Sequence, residues 1–188
     1  MSRTDSKTRI LVEGALMIAL ATVLSEIKLL NLPQGGAVSL EMIPLILMCF
    51  RHGTKWGVFT AFAHGLIQMM LGFSNVLYCR TLISQAGCIL LDYLCAFTVL
   101  GLASFFAGFF GKNRLISAAA GTFCVCLLRF CCHFISGMWL WGSYAPEGQP
   151  VWMYSLLYNG SYMLADTFIT VLCIVLLLRF APKLFVAD

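Results

Sequence analysis

The sequence is poor in charged residues. Only 11% of its 188 residues are Asp, Glu, Lys or Arg, while 61% are hydrophobic. A soluble domain carries about 25% charged residues, and a soluble fold of this length has no interior large enough to hide so much apolar surface. A water-soluble globular protein is therefore excluded, and a lipid bilayer is the solvent that fits this composition. The net charge of +4 is interpreted as a signal of membrane orientation and not of nucleic-acid binding.

Motifs for several kinds of chemistry are also missing. The chain has no GxxxxGK[ST] loop for nucleotide phosphates, no HExxH zinc motif and no GxSxG nucleophile elbow. Its nine cysteines form no CxxC pair, and most lie in apolar runs, where cysteine is usually a small packing residue. We therefore expect no cofactor, no metal and no disulfide framework. Active transport by this chain would need energy from another subunit or from an ion gradient.

What the sequence does have is a series of long apolar stretches separated by short polar segments. Since a spanning helix needs roughly 20 apolar residues, the pattern predicts an all-α integral membrane protein with six transmembrane helices, forming a single membrane domain over residues 1–188. The second helix is short for a full crossing, and the first is expected to be retained because no clear cleavage site follows it. The predicted helices cover residues 9–30, 38–50, 56–73, 81–110, 115–140 and 152–180.

Basic residues are distributed unequally between the helix ends. Nine fall at one set of ends, and only Lys28 and Arg80 fall at the other. The positive-inside rule places the first set in the cytoplasm. Both termini are then predicted to be cytoplasmic, and the loops near residues 31, 74 and 144 are predicted to face outside.

Polar side chains inside the predicted helices are the main functional signal. A charge in hydrocarbon costs at least about 2.5–3.5 kcal/mol, so each one needs a compensating role. At a helical rise of 1.5 Å per residue, Asp92 lies about 16 Å below the outer helix end, and His133 and Asn159 lie about 10 Å below it. Their shared depth on separate helices favours a site open to the outside. The alternative is that each makes a hydrogen bond across a helix contact.

Arg129 lies one turn deeper than His133 on the same helix face. We interpret it as one half of a structural ion pair, with Asp166 or Asp92 as its partner.

Aromatic residues concentrate around the last outer loop. Three of the four tryptophans and four of the six tyrosines fall within residues 139–162. Trp and Tyr normally form belts at both membrane interfaces, but the cytoplasmic helix ends carry only Trp56, so a pocket competes with a belt as the explanation. An aromatic pocket beside a carboxylate suits a flat organic cation. The residues are Trp139, Trp141, Tyr144, Trp152, Tyr154, Tyr158 and Tyr162.

The first helix carries the small residues Ala15 and Ala19 four positions apart, and Gly14 extends this patch. Small residues at this spacing let another helix approach closely. The approaching helix belongs either to this chain or to a docking partner.

Four strings, in this order and spacing, resemble the thiamine-specific substrate-binding subunits (S-components) of energy-coupling factor transporters. They are LPQGGAVSLEMIPL, ILLDYLCAF, RFCCHFISGMWLWGSYAP and YSLLYNGSY, and the resemblance covers nearly the whole chain. It implies a six-helix fold that binds thiamine from outside and catalyses no reaction. It also implies a place in the membrane lipid beside a membrane-embedded T-component and two ATP-binding-cassette ATPase subunits.

The resemblance also implies roles for individual residues. Ala15 and Ala19 are the expected docking residues for the T-component. Two features depart from the family pattern: the acid is Asp where relatives often have Glu, and the segment Leu30 to Glu41 lacks the aromatic lid residue of some relatives. The substrate-binding positions are Asp92, Tyr93, His133, Trp141, Tyr154 and Asn159.

Two other functions remain open from the sequence. One is an S-component for another vitamin, such as riboflavin or a pyridoxine; biotin fits less well because it is anionic. The other is a polytopic membrane enzyme, for instance a lipid-modifying transferase with His133 as its base.

Overall fold

The structure is a computed structural model, and it describes residues 3–32 and 36–187. Over these residues the chain is a helical bundle with one short antiparallel β-hairpin. The helices are α1 (Arg3–Glu26), α2 (Met42–His52), α3 (Thr54–Leu71), α4 (Phe73–Leu77), α5 (Leu82–Ala107), α6 (Arg114–Trp139) and α7 (Val151–Phe180). The hairpin strands are β1 (Leu30–Asn31) and β2 (Ala37–Val38), and 3-10 turns cover Gly142–Tyr144 and Pro182–Phe185.

Within the described residues, four helices are long and apolar enough to cross a membrane. They are Lys7–Glu26 of α1 and the whole of α5, α6 and α7, with 20 to 30 residues each and mean hydropathies of 1.6 to 2.2. At 1.5 Å per residue even the shortest reaches about 30 Å, the thickness of the hydrocarbon core. Helix α2 has only 11 residues, so the expected shortness of the second helix is confirmed. The six predicted helices correspond to α1, α2, α3, α5, α6 and α7.

Helix α2 lies in the centre of the bundle. Seven of its 11 residues are buried, and α1, α3, α5 and α7 pack against it. In contrast, the outer surfaces of the long helices are apolar; on α7, Leu164 is 74% and Phe168 is 69% exposed. Such a contiguous apolar exterior belongs against lipid. The core around α2 includes Phe97, Leu100, Ala118, Val125, Ile174 and Leu178.

The largest differences from the predicted boundaries lie between α1 and α2. The first helix was predicted to reach residue 30, but α1 ends at Glu26. The hairpin begins there because the Leu29 N–H donates to the Val38 carbonyl at 2.9 Å. The hairpin also delays the start of α2 to Met42, four residues after the predicted start. The all-α prediction therefore misses this short β element.

Helix α5 departs from regular α-helical geometry. Thr81 caps its start by accepting the Ser84 N–H at 3.1 Å, and it ends at Ala107 where the prediction continued to residue 110. Residues Ile89–Cys95 are π-helical and Val99–Leu102 are 3-10. A π-helical turn holds an extra residue and is frequent at functional sites. The helix α4 lies in the segment 74–80 that was predicted as a loop.

Basic side chains from different segments converge at the end of the bundle opposite the hairpin. Glu13 of α1 accepts hydrogen bonds from Arg9 at 3.1 Å, and from Arg51 and His52 at 2.7 Å each. Arg51 also donates to the carbonyl of Lys183 at 3.2 Å. The basic ends of α1, α2 and the segment after α7 therefore lie together, as the charge distribution predicted.

Candidate substrate-binding site

A polar cavity of about 460 Å³ lies between α3, α5, α6 and α7, with the hairpin along one side. It contains both hydrophobic and ionisable side chains, as a small-molecule site requires. Gly36 and Ala37 of the hairpin segment line it, and the Gly36 N–H donates to the Tyr158 hydroxyl at 3.1 Å. All six sequence-predicted substrate-binding residues line this cavity: Asp92, Tyr93, His133, Trp141, Tyr154 and Asn159.

Asp92 is the acceptor at the centre of the hydrogen-bond network. It projects from the π-helical part of α5. Its Oδ1 accepts from Nδ1 of His133 at 3.1 Å, and its Oδ2 accepts from Oγ of Ser136 at 2.6 Å and Nε1 of Trp141 at 3.2 Å. Hydrogen bonds to the ionised form stabilise a carboxylate as an anion. The site therefore holds an oriented negative charge.

The imidazole of His133 uses only one of its two ring nitrogens in the described hydrogen-bond network. Because the carboxylate of Asp92 accepts at Nδ1, that nitrogen carries the proton and Nε2 of the neutral ring is an acceptor. Nε2 is buried and has no hydrogen-bond partner among the described residues. It is therefore placed to accept a hydrogen bond from a ligand.

Asn159 connects α7 to α6 beside His133. Its Nδ2 donates to the His133 carbonyl at 3.2 Å and to the Ser155 carbonyl at 3.0 Å, and its Oδ1 accepts from the Tyr162 hydroxyl at 3.1 Å. An amide oxygen has a second lone pair, so it keeps acceptor capacity towards the cavity. The expected convergence of Asp92, His133 and Asn159 is found in the structure.

The aromatic cluster divides into a cavity wall and an outward belt. Tyr154 and Tyr158 are stacked at 5.8 Å between ring centroids, and Tyr158 meets Tyr162 edge-on at 6.0 Å. Trp139 and Trp152 are instead 59% and 55% exposed. The tyrosines therefore fit the explanation as a pocket, and the exposed tryptophans fit the explanation as a belt.

Tyr93 lines the cavity but directs its hydroxyl away from Asp92. It donates to the Gly72 carbonyl at 2.9 Å and accepts from Asn75 at 3.5 Å. Its hydroxyl thus holds the end of α3 against α5, and its ring is what it presents to a ligand.

Arg129 forms an ion pair other than the one predicted. Its Nη2 lies 2.9 Å from Oε1 of Glu41, and Asp166 instead accepts the Ser39 N–H at 3.1 Å. The prediction of Asp166 or Asp92 as the partner is therefore wrong. The predicted second helix, 38–50, included Glu41 in its first turn, whereas in the structure Glu41 directly precedes α2. It lies against Arg129 in the part of the cavity wall formed by Glu41, Arg129 and Phe97, which we call the cavity floor.

Sequence reasoning missed two residues of the site: Ser136, which donates to Asp92, and Glu41, which lines the cavity. Ser136 follows His133 by three residues, so helical periodicity places the two side chains on one face, and this spacing was available as a signal. Glu41 had no comparable signal because its position depends on the hairpin.

The predicted docking residues lie on the outside of α1, remote from the cavity. Ala15 and Ala19 are exposed, whereas Gly14 is buried. A Cβ atom at Gly14 would lie 3.2 Å from Oγ1 of Thr60, so Gly14 serves the packing of α1 on α3 and does not extend the exposed patch as expected. A shallow groove of about 140 Å³ between Ala15 and Trp56 adjoins the patch.

The cysteines and other ligand types give no metal centre. All nine cysteines are free, and no group of three or more His, Cys, Asp or Glu side chains in residues 3–32 and 36–187 is arranged to hold a metal ion.

Comparisons with known proteins give matches over the full length of the chain. The family model described as "Thiamine transporter protein" matches residues 11–186. The chain is 38% identical to the thiamine transporter ThiT of Bacillus subtilis, covering 95% of this chain and 94% of that protein. It is 31% identical to ThiT of Lacticaseibacillus paracasei, covering 95% and 91%. A solved structure of ThiT from Listeria monocytogenes superposes with a TM-score of 0.79 at 26% identity, covering 96% of this chain and 99% of that one.

Proposed function

The chain belongs to the thiamine transporter protein family, and on that basis we propose that it captures thiamine in the cavity between α5, α6 and α7. It does so as the S-component of an energy-coupling factor importer. The observation that carries this proposal is the carboxylate of Asp92, oriented by three donors inside a cavity with an aromatic wall.

The chemistry of thiamine matches that of the cavity. Thiamine has a cationic thiazolium ring joined to an aminopyrimidine ring. Asp92 supplies the counter-charge, and the rings of Trp141 and Tyr154 supply faces for cation–π and stacking contacts. Nε2 of His133 accepts from the exocyclic amine, and Asn159 completes the hydrogen bonding of the pyrimidine.

Energy for uptake comes from partner subunits in this proposal. The sequence contains no phosphate-binding loop for ATP, and the relatives are named as transporters. A membrane T-component docks on the exposed Ala15 and Ala19 of α1 and links the chain to two ATP-binding-cassette ATPases. Small exposed side chains at this spacing suit a close helix crossing.

The proposed topology has six membrane segments with both termini in the cytoplasm. Its support is the charge distribution: nine basic residues at one set of helix ends against two at the other. The cavity and the hairpin then face the outside, where thiamine is taken up.

The enzyme alternative lacks an activated nucleophile. In a Ser–His–Asp triad the serine donates to the histidine, whereas Ser136 donates to Asp92 at 2.6 Å. No described hydroxyl therefore donates to His133, and the naming of the relatives as transporters favours a binding protein over an enzyme.

The purified chain tests this function directly. Titration calorimetry against thiamine, riboflavin, pyridoxine and biotin should show stoichiometric binding of thiamine alone, with the ligand recovered unchanged. Replacing Asp92 with Asn removes the buried counter-charge and should weaken thiamine binding at least about 100-fold. The matched control is Glu26→Gln, an exposed acid at the cavity rim, whose charge is screened by solvent. Unchanged affinity in Asp92→Asn, or binding of another vitamin in preference, would contradict the assignment.

A further inference from the structure

We propose that Glu41 is a specificity-determining residue for a cationic ligand, because it neutralises the guanidinium of Arg129 at the cavity floor. This inference rests on the proposed binding of thiamine. It assigns to the buried ion pair a role in ligand charge selection, and not only in holding α2 against α6.

The positions of the two side chains carry the argument. Both line the cavity, and their side chains are only 8% and 11% exposed. Oε1 of Glu41 lies 2.9 Å from Nη2 of Arg129, and the other carboxylate oxygen lies 3.8 Å from Nε2 of His64. The ring of Phe97 lies 4.0 Å from the guanidinium carbon and covers its other side.

The remaining donors of Arg129 are not satisfied by the surrounding side chains. Its Nε and Nη1 are buried without a hydrogen-bond partner among the described residues. Glu41 is the only carboxylate that the structure places in hydrogen-bonding contact with this guanidinium within residues 3–32 and 36–187. Without Glu41, the positive charge of Arg129 would be left with the more distant carboxylate of Asp166, which is bound to the Ser39 N–H.

The guanidinium of Arg129 lies close enough to a cation at Asp92 to affect the binding of that cation. Arg129 lies one helical turn, about 6 Å along the axis, below His133, and His133 contacts Asp92. A cation bound at Asp92 is then roughly 10 Å from the guanidinium, where a unit charge changes a binding constant on the order of 10-fold at an effective dielectric constant of about 20. Because both groups are buried, salt screens this repulsion little.

The ratio of the affinities for a cationic and a neutral ligand isolates the effect of the floor charge on binding. The ligands are thiamine and a neutral isostere in which a thiophene ring replaces the thiazolium. Changes in packing at the floor weaken both ligands alike and leave the ratio unchanged, whereas a change in floor charge acts on thiamine alone. Titration calorimetry on purified, monodisperse protein gives both constants.

Two single variants change the charge of the cavity floor in opposite directions, and the double variant keeps it neutral. Glu41→Gln exposes the positive charge and should lower the thiamine-to-isostere ratio on the order of 10-fold. Arg129→Gln leaves the negative charge of Glu41 and should raise the ratio. The double variant Glu41→Gln with Arg129→Gln is neutral and should restore the wild-type ratio. The control Glu147→Gln, an exposed acid that does not line the cavity, should leave the ratio as it is.

The outcomes separate this inference from the proposed function. A wild-type chain that does not bind thiamine refutes the proposed function itself. Wild-type binding with the same ratio in both single variants overturns the role of Glu41. If Glu41→Gln fails to fold because it buries an unpaired guanidinium, the Arg129→Gln and double variants still decide, and equal ratios in those two overturn the proposal.

Discussion

At the scale of single residues, the cavity holds a short acid in place with donors from its neighbours. Asp92 has one methylene fewer than glutamate, and its carboxylate is bound by Ser136, His133 and Trp141. Hydrogen bonds to charged groups contribute about 1.5–3 kcal/mol each. The orientation of the charge is therefore a property of the surrounding side chains as much as of Asp92 itself.

Ser136 should contribute to affinity without touching the ligand. Replacing it with Ala removes the 2.6 Å hydrogen bond to Asp92 and should weaken thiamine binding about 10-fold or more, from the strength of a charge-assisted bond. The matched control is Thr170→Val, which also deletes a fully buried hydroxyl, at a residue that does not line the cavity. Titration calorimetry measures both. Equal losses of affinity in the two variants would show that Ser136 acts only on packing.

Trp141 should report binding by fluorescence. Its indole N–H lies 3.2 Å from Asp92, so a stacked thiazolium should quench its emission. Trp141→Phe should abolish most of the thiamine-induced quench, whereas Trp139→Phe should preserve it because Trp139 is 59% exposed on the outer surface. A full quench in Trp141→Phe would exclude that ring as the contact.

The sequence was sufficient to predict the positions of residues that are fixed by their depth along a helix. Asp92, His133 and Asn159 were predicted to converge from helical rise alone, and they do. The partner of Arg129 was not predictable in this way, since Glu41 reaches it only after the chain has turned through the hairpin. An ion pair between segments 88 residues apart depends on tertiary packing that periodicity does not encode.

At the scale of elements, the crossing of α6 and α7 sets the geometry of the cavity. Gly137 of α6 lies directly against Ser155 and Asn159 of α7, and a Cβ atom at Gly137 would lie 2.8 Å from Nδ2 of Asn159. The absence of a side chain at this point lets the helices approach closely. The position of Asn159 beside His133 follows from that approach.

Gly137→Ala should therefore damage both stability and binding. The added methyl group pushes α7 away from α6 and displaces Asn159, so thermal stability and thiamine affinity should fall together. Gly160→Ala is the matched control, because Gly160 on α7 has nothing within 4 Å of its Cβ position, and alanine favours a helix by about 1 kcal/mol. Thermal unfolding and calorimetry measure the two effects. A Gly137→Ala variant as stable as Gly160→Ala would show that the crossing relaxes freely.

The long helices were predictable as elements, and the short ones were not. Apolar runs define α5, α6 and α7 within three residues at each end, because hydrocarbon selects for length and composition. The hairpin and α4 have only a few residues each, and their hydrogen bonds are made with neighbouring segments. Composition carries little information at that length.

At the scale of the whole molecule, the cavity and the proposed docking patch occupy separate surfaces. The cavity lies near the hairpin end of the bundle, whereas Ala15 and Ala19 lie on the exterior of α1. Sequence composition was enough to predict a membrane protein, and the family resemblance was enough to predict its ligand class. The number of crossings and the orientation are inferred from the charge distribution.

Enlarging the docking patch should separate binding from uptake. Ala15→Trp or Ala19→Trp introduces a bulky side chain at an exposed position, so thiamine binding to the purified chain should remain as in wild type. Assembly with the T-component and the ATPases should be lost, because a tight helix crossing cannot accommodate the indole. Co-purification and cellular uptake of labelled thiamine measure this.

The control for this experiment is Leu164→Trp on the exposed surface of α7, at a residue that is 74% exposed. It adds the same bulk to a lipid-facing position outside the proposed docking patch and should leave uptake intact. Normal assembly and transport by both alanine variants would place the partner surface elsewhere on the molecule.

The π-helical segment Ile89–Cys95 also governs how this protein aligns with others. An ordinary α-helix has 3.6 residues per turn, and a π-helical turn accommodates one residue more. Removing one residue between Cys88 and Phe97 would therefore regularise the helix locally, shorten α5 by only about 1.5 Å and leave the parts of α5 on both sides of the segment on their present faces. A single-residue gap at this point in a comparison with a relative is thus compatible with the same packing of α5, and only residues inside the segment, Asp92 among them, would change direction.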